Sequence, residues 1–359
     1  MADYIAEISS PPTAVAEADR AALTDLLANR WIGYVLTTAA ELDVAEALAD
    51  GPRTAGAVAA ATGASESGID SLLRALGTIG VVEQLGDHQD TFALTPRGSL
   101  LRAEVPGSLR DAVLVSGGER FLRGWMRLTE RIRVGRAPIS PREAAEDPFD
   151  RLATLPEAQD QFHTAMADAT AAVAEAIAAA YDFTGLDSVV DVGGGYGTLL
   201  PPILRTHPNL TGVVFDRPYC RAGAERVIAA AELTDRCDFV GGSFFDAALP
   251  KGADAYLLKS VLHDWDDDRA VEILRRVREA MSDRSRLLVI EVVMPDTVRP
   301  DPEHRQKVWA DLTMLVASGR GERTEGQYVK LLGAAGLRVT ATIPTATLDR
   351  AGIIEARPV

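Results

Sequence analysis

The chain has 359 residues, of which 47% are hydrophobic, and its 37 basic and 52 acidic residues give a formal net charge of −15. This composition is typical of a globular protein with room for two domains, and its acidity argues against a nucleic-acid partner, which needs clustered Lys and Arg. Cys220 and Cys237 form no CxxC pair, so neither a disulfide framework nor a zinc site is predicted. Without a signal-peptide pattern or a long apolar run, we expect a soluble, cytoplasmic protein with no membrane partner.

The first third of the chain predicts a flexible N-terminus over 1–20, where Ser9-Ser10-Pro11-Pro12 opposes a helix, and a mostly helical, winged-helix-like domain over 21–105. Two short helices beginning near Thr54 and Ser65 precede a hairpin over 81–94. Such a unit occurs in transcription regulators. From position 41 to 102, however, nine acidic residues face four basic ones, the wrong balance for a helix that reads DNA. The pattern favours a scaffold for packing and dimerisation.

The remainder divides by its hydrophobic pattern. Residues 106–182 predict a helical linker rich in aromatic residues and Met, some of which would wall an apolar pocket. Over 183–359, apolar strands alternate with helices, which predicts an α/β fold with a Rossmann-like, doubly wound parallel sheet. The last two strands follow one another without a helix, so we expect them to add an antiparallel hairpin at one edge.

A glycine-rich loop, Asp191-Val-Gly-Gly-Gly-Tyr-Gly197, follows the first of these strands. Glycines let a ligand approach the backbone closely, and ligands of this fold bind at the carboxyl ends of the strands. Counted from Gly193, the dinucleotide fingerprint requires glycine at 198, where the chain has Thr198. Asp191 would repel a pyrophosphate but suits a cofactor with a cationic amine and a sulfonium. The loop therefore disfavours an NAD-dependent oxidoreductase.

Asp216 closes the second strand of this domain, Val213-Val-Phe-Asp216. An acidic residue at this point commonly binds the ribose hydroxyls of an adenosine. The alternative interpretation, an N-cap of the helix that begins near Pro218, is compatible with the same role.

His263 follows the fourth strand in Leu258-Lys-Ser-Val-Leu-His-Asp-Trp265, at the same edge of the sheet. An imidazole titrates near neutral pH and can take the proton of a hydroxyl nucleophile, which predicts a general base. Glu291 ends the fifth strand, where a buried carboxylate needs a partner such as this histidine. Glu322 precedes the last helix and has a competing interpretation as part of a capping segment whose N-cap is Thr324.

Six motifs in order, DVGGGYG, VVFDRP, GGSFFD, LLKSVLHDWDD, VIEVVMP and GERTE, resemble one family. It is that of the small-molecule O-methyltransferases typified by plant caffeic acid O-methyltransferase, whose bacterial members decorate aromatic natural products. The resemblance covers residues 25–357. It implies an S-adenosylmethionine-dependent enzyme that methylates a hydroxyl of a small aromatic acceptor and forms an intertwined homodimer. We expect no metal, because the sequence offers no Asp/Asn cluster that would bind a divalent ion to a catechol.

The resemblance also implies roles for individual residues. His263 would be the base, flanked by Glu291 and Glu322. The cofactor would be bound by Asp191, Gly193, Gly194, Gly195, Asp216, Ser243, Phe244, Lys259 and Trp265. The acceptor would be lined by Trp125, Phe162, Met166, Asp311 and Met314.

The chain departs from the family at two points of the site. Ser243 stands where the family usually has an Asp for the adenine amine, and the loop before Glu322 is shorter than in plant members. Diverged chemistry on the same fold (N- or C-methylation, or cofactor-assisted decarboxylation or hydroxylation) and a non-enzymatic winged-helix regulator stay open as alternatives.

Overall fold

The computed structural model describes residues 17–86, 90–136, 148–347 and 351–359. Most of the expected flexible N-terminus, residues 1–16, lies outside the described residues, and the first helix among those described begins at Glu17. The chain divides after Arg102 into two compact units.

The N-terminal unit is helical with a small sheet, as the sequence predicts. Its helices are α1 (Glu17–Asn29), α2 (Ile32–Glu41), α3 (Val44–Ala47), α4 (Ala55–Thr62), α5 (Glu66–Thr78) and α6 (Pro96–Ser99). Its strands are β1 (Arg53–Thr54), β2 (Val82–Gln84) and β3 (Thr91–Leu94), in the order β1-β3-β2. The two-residue strand β1, which pairs with β3, was not predicted.

Helix starts in this unit follow the capping residues. The side chain of Thr54 accepts a hydrogen bond from the Ala57 N–H at the start of α4, and that of Ser65 accepts one from Gly68 at the start of α5. The wing strands and α5 enclose a small core, in which Leu73, Leu76 and Phe92 are fully buried.

The C-terminal unit begins with helices α7 (Arg110–Gly117), α8 (Glu119–Met126), α9 (Leu128–Val134), α10 (Pro148–Ala153) and α11 (Pro156–Ala180). The sheet strands that follow are β4 (Ser188–Val192), β5 (Thr211–Asp216), β6 (Cys237–Gly241), β7 (Ala255–Lys259), β8 (Arg286–Met294), β9 (Arg323–Thr324), β10 (Leu337–Pro344) and β11 (Ala351–Pro358). Between them lie α12 (Leu200–Thr206), α13 (Arg221–Ala230), α14 (Asp267–Ala280), α15 (Pro302–Ser318) and α16 (Glu325–Ala334).

The strand order β10-β11-β8-β7-β4-β5-β6 confirms the doubly wound, Rossmann-like fold. Strands β4 to β8 pair in parallel, whereas β11 runs antiparallel to β8 and β10 antiparallel to β11. The short β9 pairs with the end of β8 outside this path. The predicted edge hairpin is present, with its second strand on the inner side.

Helices cover both faces of the sheet, so both faces are buried. Successive residues of a strand point to opposite faces. Val189 and Leu257 pack with α11 and α12, whereas Val190 and Leu258 pack with α14 and α16. The chain order turns back at β4, which lies between β5 and β7, so a crevice opens at the carboxyl ends of these strands. Among the described helices, none combines the length and the apolar character that crossing a bilayer requires.

Candidate active site

The segment 260–265, which we call the catalytic turn, leaves the carboxyl end of β7 and carries His263 in a single 3₁₀ turn (Leu262–Asp264). Ser260 opens it with a φ of 52°, a left-handed conformation that a residue with a side chain rarely adopts. The Ser260 hydroxyl accepts a hydrogen bond from Lys259 Nζ at 3.2 Å. A strained backbone persists only where its surroundings hold it, so the contacts around the turn must keep it in this conformation.

Glu291 holds the backbone of the catalytic turn. Its Oε1 atom accepts hydrogen bonds from the N–H groups of Val261 at 2.9 Å and Leu262 at 2.8 Å. Glu291 lies inside β8, which continues beyond the predicted end of the strand to Met294, and the residue is 1% exposed. A buried carboxylate is therefore used chiefly to orient main chain, and its second oxygen lies 3.5 Å from His263 Nδ1.

Glu322 makes the short contact with the imidazole. Its Oε1 lies 2.8 Å from His263 Nδ1, so the sequence-predicted trio of His263, Glu291 and Glu322 meets in space. Because both carboxylates face Nδ1, that nitrogen carries a proton and donates it, which leaves Nε2 as the atom available to a ligand. Asp264 Oδ2 lies 3.9 Å from Nε2.

The charges of this trio set its protonation. Burial alone would lower the pKa of His263, but the carboxylates of Glu291, Glu322 and Asp264 outweigh it and raise that pKa to about 10. Burial also raises the pKa of Glu291, against the opposing effects of His263 and the two backbone N–H groups. His263 and Glu291 thus retain protons to higher pH than the separate side chains would.

Glu322 is itself held from behind. Its backbone N–H donates to Asp311 Oδ1 at 2.9 Å, and the same oxygen accepts a hydrogen bond from Arg136 Nη2 at 3.0 Å. Gly321 leaves the space that this ion pair occupies, because a Cβ at that position would collide with Arg136 and Asp311. Asp311, expected to line the acceptor pocket, thus also fixes the flanking glutamate.

The glycine loop packs against the catalytic turn. Gly193 has a φ of +75°, and a Cβ there would come within 2.8 Å of Val261 Cγ2. Gly195 N–H donates to Asp216 Oδ2 at 2.6 Å, and Arg217 N–H donates to Asp216 Oδ1 at 2.6 Å. The Asp216 carboxylate at the end of β5 therefore lies against the glycine loop.

Asp191 lies beneath this loop at the end of β4 and is 2% exposed. Burial and the neighbouring Asp216 raise the pKa of Asp191 to about 7, although Lys259 opposes the shift. A Cβ on Gly194 would come within 2.5 Å of Asp191 Oδ2, so the carboxylate supports the loop from below.

An aromatic cluster borders the crevice on the other side of the turn. The Trp265 ring packs edge-on against Phe244 and Phe245, with centroids 6.0 and 4.8 Å away, and lies 6.1 Å from Phe149. Trp265 Nε1 is buried and has no hydrogen-bond acceptor in the described part of the chain. Ser243 Oγ accepts the Phe245 N–H at 3.2 Å, so its own hydroxyl proton can be donated.

Comparison with known proteins decides the family. The O-methyltransferase domain matches residues 125–338, and the O-methyltransferase dimerisation domain matches residues 24–104. The chain belongs to the O-methyltransferase family. This confirms both the resemblance and the expectation of a methyltransferase.

Three relatives illustrate the range of this family. The chain is 37% identical to a phenazine O-methyltransferase of Lysobacter antibioticus, over 94% of this chain and 96% of that protein. It is 36% identical to 8-amino-8-demethylriboflavin N,N-dimethyltransferase of Streptomyces davaonensis, over 91% and 92%. A crystal structure of an O-methyltransferase from neocarzinostatin biosynthesis, in complex with S-adenosylmethionine and 2-hydroxy-5-methyl naphthoic acid, superposes with a TM-score of 0.74 at 35% identity, covering 91% of this chain and 96% of that one.

The expected acceptor residues of this O-methyltransferase lie on three helices. Trp125 is on α8, which approaches α15 closely at Gly124 and Val316. Phe162 is on α11 and packs edge-on against Phe149 at 6.4 Å. The remaining expected residues, Met166 on α11 and Asp311 and Met314 on α15, are partly or largely exposed.

The trio also has the composition of a metal site. One ligand atom each from His263, Glu291 and Glu322 lies within 4.8 Å of the others. Glu291 Oε1 is already engaged by two N–H groups, and Nδ1 carries a proton towards Glu322. A metal ion would have to displace that proton.

Sequence reasoning passed over two buried residues of the site. Arg323 follows Glu322 in the GERTE motif, and His163 follows Phe162. His163 is packed between the rings of Tyr196 and Tyr219, each 5.5 Å away, and burial lowers its pKa against the pull of Asp216. Both stand beside residues that were singled out, and only their burial marks them.

Proposed function

We propose that the protein transfers a methyl group from S-adenosylmethionine to a hydroxyl of a small aromatic, natural-product-like acceptor, with His263 as the general base. The observation that carries this proposal is the His263 imidazole, which is tied at Nδ1 to Glu322 at 2.8 Å and placed at the carboxyl edge of the sheet next to the glycine loop. The relatives that act on phenazines and naphthoic acids support the class of acceptor.

The residues of the crevice fit the cofactor. The positive φ of Gly193 and Gly195 gives a cradle without side chains, and Asp216 stands at its rim for a ribose. The N–H of Trp265, which has no acceptor among the described residues, and the hydroxyl of Ser243 are donors near the Phe244 ring, where an adenine would be held. The family resemblance implies that the Lys259 backbone also meets the cofactor. When bound, S-adenosylmethionine supplies an electrophilic methyl group on a sulfonium.

The protein's own task is to place and deprotonate the acceptor. A phenol has a pKa of about 10, close to that of His263, so the proton can pass to Nε2 with little change in free energy. Glu322 stabilises the imidazolium that forms, and Glu291 keeps the turn in place. The positive charge of the bound cofactor would lower the pKa of His263 and so increase its basic form near neutral pH.

N-methylation is the second candidate, because a riboflavin-type N,N-dimethyltransferase matches nearly as well as the O-methyltransferases. An aromatic amine attacks through its lone pair and needs no deprotonation beforehand. A base held by two carboxylates is therefore more useful for a hydroxyl acceptor, and we place O-methylation first.

The functional unit we propose is a homodimer. The dimerisation domain spans residues 24–104, and α1 exposes Leu23, Leu26 and Leu27 to more than half of their area. Exposed apolar surface of this kind marks an interface. Light scattering should give twice the chain mass, and Leu26→Glu should shift the protein towards monomer.

The test is a methyl-transfer screen over phenolic natural products and their amino analogues, with product mass and position determined. In His263→Gln we expect kcat for a phenol to fall about 100- to 10,000-fold while S-adenosylmethionine affinity changes less than about threefold. His207→Gln, at the end of α12 and packed on Phe183, is the matched control and should keep full turnover. Chelation with EDTA should not change the rate. Unchanged turnover in His263→Gln would refute the base, and loss on chelation would indicate a metal in the trio.

A further inference from the structure

Arg323 lies buried behind the catalytic turn and makes two hydrogen bonds to it and one to the helix that follows. Its Nη1 donates to the carbonyl of Leu262 at 2.7 Å, and its Nη2 donates to the carbonyl of Trp265 at 2.8 Å. Its Nε donates to Asp267 Oδ1 at 3.0 Å, at the start of α14. The residue is 7% exposed, so these acceptors replace its water. The three acceptors bracket His263 on both sides along the chain.

These bonds complement those of Glu291 on the opposite side of the same backbone. The Leu262 N–H donates to Glu291, while the Leu262 carbonyl accepts from Arg323. The peptide units that carry His263 are thus held between a buried carboxylate and a buried guanidinium. With Ser260 in a left-handed conformation, the turn depends on such external bonds rather than on its own preference.

The position of Arg323 in the chain links this clamp to the imidazole. It follows Glu322, whose carboxylate bonds Nδ1, and the pair Arg323–Thr324 forms β9 against the end of β8. A shift of the guanidinium would therefore move both the turn that carries His263 and the carboxylate that orients it. A guanidinium presents its donors in a rigid planar fork, which an ammonium cannot reproduce.

We infer that Arg323 is a positioning residue that sets where the His263 imidazole stands relative to Glu322 and the acceptor. This inference rests on the proposed function, in which His263 is the base. Arg323 acts through the backbone of the turn and through β9, and it touches neither cofactor nor acceptor. Misplacement of a reacting group by about 1 Å costs on the order of 100-fold in rate, which gives the scale of its effect.

Arg323→Lys tests the inference because it keeps the charge and removes the fork. We expect kcat to fall about 10- to 100-fold while KM for S-adenosylmethionine stays within about twofold. The pKa of His263, followed by NMR on histidine-labelled protein, should also fall, since the bond to Glu322 loosens. A role confined to stability would lower the folded fraction and leave kcat per folded molecule and this titration unchanged.

Arg320→Lys is the matched control. Arg320 lies on the same segment and pairs with Asp266 at 3.2 Å, so it also links this segment to the start of α14. Among the described residues, the side-chain hydrogen bonds to the Leu262 and Trp265 carbonyls come from Arg323. We expect its kcat and its His263 titration to match those of the wild type. Equal losses in Arg320→Lys and Arg323→Lys would overturn the inference.

Asp267→Ala provides a second variant if Arg323→Lys does not fold. It leaves Arg323 in place and removes one of its three acceptors, so we expect a smaller loss of kcat, about two- to fivefold, at constant KM. An unchanged kcat there, or in a folded Arg323→Lys, contradicts the inference. Retained turnover in His263→Gln would refute His263 as the base. The His263 titration in Arg323→Lys would still show whether Arg323 positions the imidazole. Lost turnover in His263→Gln with an unaltered Arg323→Lys would refute only the role of Arg323.

Discussion

The glycine loop and the catalytic turn lie side by side at the carboxyl edge of the sheet, yet they are built by opposite means. The loop owes its shape to side chains that are missing: Gly193 and Gly195 adopt positive φ values and leave room for a ligand. The turn owes its shape to side chains that arrive from elsewhere, since Glu291 and Arg323 hold its backbone from 29 and 61 positions away. A loop shaped by its own residues can be recognised from a motif, whereas a turn held by distant side chains depends on the fold.

The largest loss of stability should come from removing a distant side chain that holds the catalytic turn. Glu291→Ala leaves two backbone N–H groups and a buried imidazole without their carboxylate, and we expect the free energy of unfolding to fall by about 3–5 kcal/mol. Glu322→Gln keeps an oxygen acceptor near Nδ1, so we expect the stability to change by less than about 1 kcal/mol. Denaturant titration measures both.

Turnover should rank these two variants differently. Losing the negative charge beside Nδ1 should lower kcat of Glu322→Gln about 10- to 100-fold, in the range of general-base effects, in a protein that folds normally. Equal stability losses in the two variants would contradict the division of roles between a carboxylate for the backbone and one for the imidazole.

Substitutions in the glycine loop should cost less unfolding free energy, and the costs at its two glycines should differ. Gly193→Ala meets both an unfavourable φ and a collision with Val261, so we expect a loss of about 2–4 kcal/mol in unfolding free energy. At Gly195 a Cβ has only His163 Nδ1 near it, at 4.0 Å, so the backbone alone should cost about 1–2 kcal/mol. Thermal unfolding of the two alanine variants checks this order; a reversed order would show that the loop does not lean on the turn.

The pH dependence is a separate effect, measured as a slope of stability rather than as the loss caused by one substitution. The pKa of His263 is raised from 6.5 to about 10, so its stabilising contribution is fully present below pH 6.5 and is lost as the pH rises through 10. The pKa of Glu291, raised from 4.5 to about 7, has the same sign, but its contribution is lost over the lower range between pH 4.5 and 7. We therefore expect the Tm to fall between pH 7 and pH 10, and less steeply in His263→Gln. Parallel curves for the two proteins would argue against a strongly bound proton.

Much of the local structure and part of the site were predictable from single positions. Thr54, Ser65 and Thr324 begin helices as their capping chemistry predicts, and Thr324 forms a full capping box with Gln327. Pro201 and Pro202 fall in the first turn of α12, where proline is tolerated. His263, Glu291 and Asp216 could be singled out because each lies in the carboxyl-terminal part of a strand or shortly after one, and the carboxyl ends of parallel strands share one edge.

Other contacts followed from no local pattern. The loop before Glu322 is shorter than in plant members of the family, and only the fold shows that Glu322 makes the closer contact with Nδ1, at 2.8 Å against 3.5 Å for Glu291. The ion pair of Arg136 and Asp311 joins residues 175 positions apart. Because long-range side-chain contacts depend on the packing of whole elements, neither spacing nor periodicity encodes them.

The sequence by itself determined the alternation of strands and helices, the glycine loop and the candidate for the base, since each rests on residue types at short spacings. The tertiary structure decided which carboxylate orients the imidazole, which one holds the backbone, and that a buried arginine closes the turn from behind. The physical reason is burial: inside the protein a charged side chain must find its partners, and only the folded chain determines which ones are within reach.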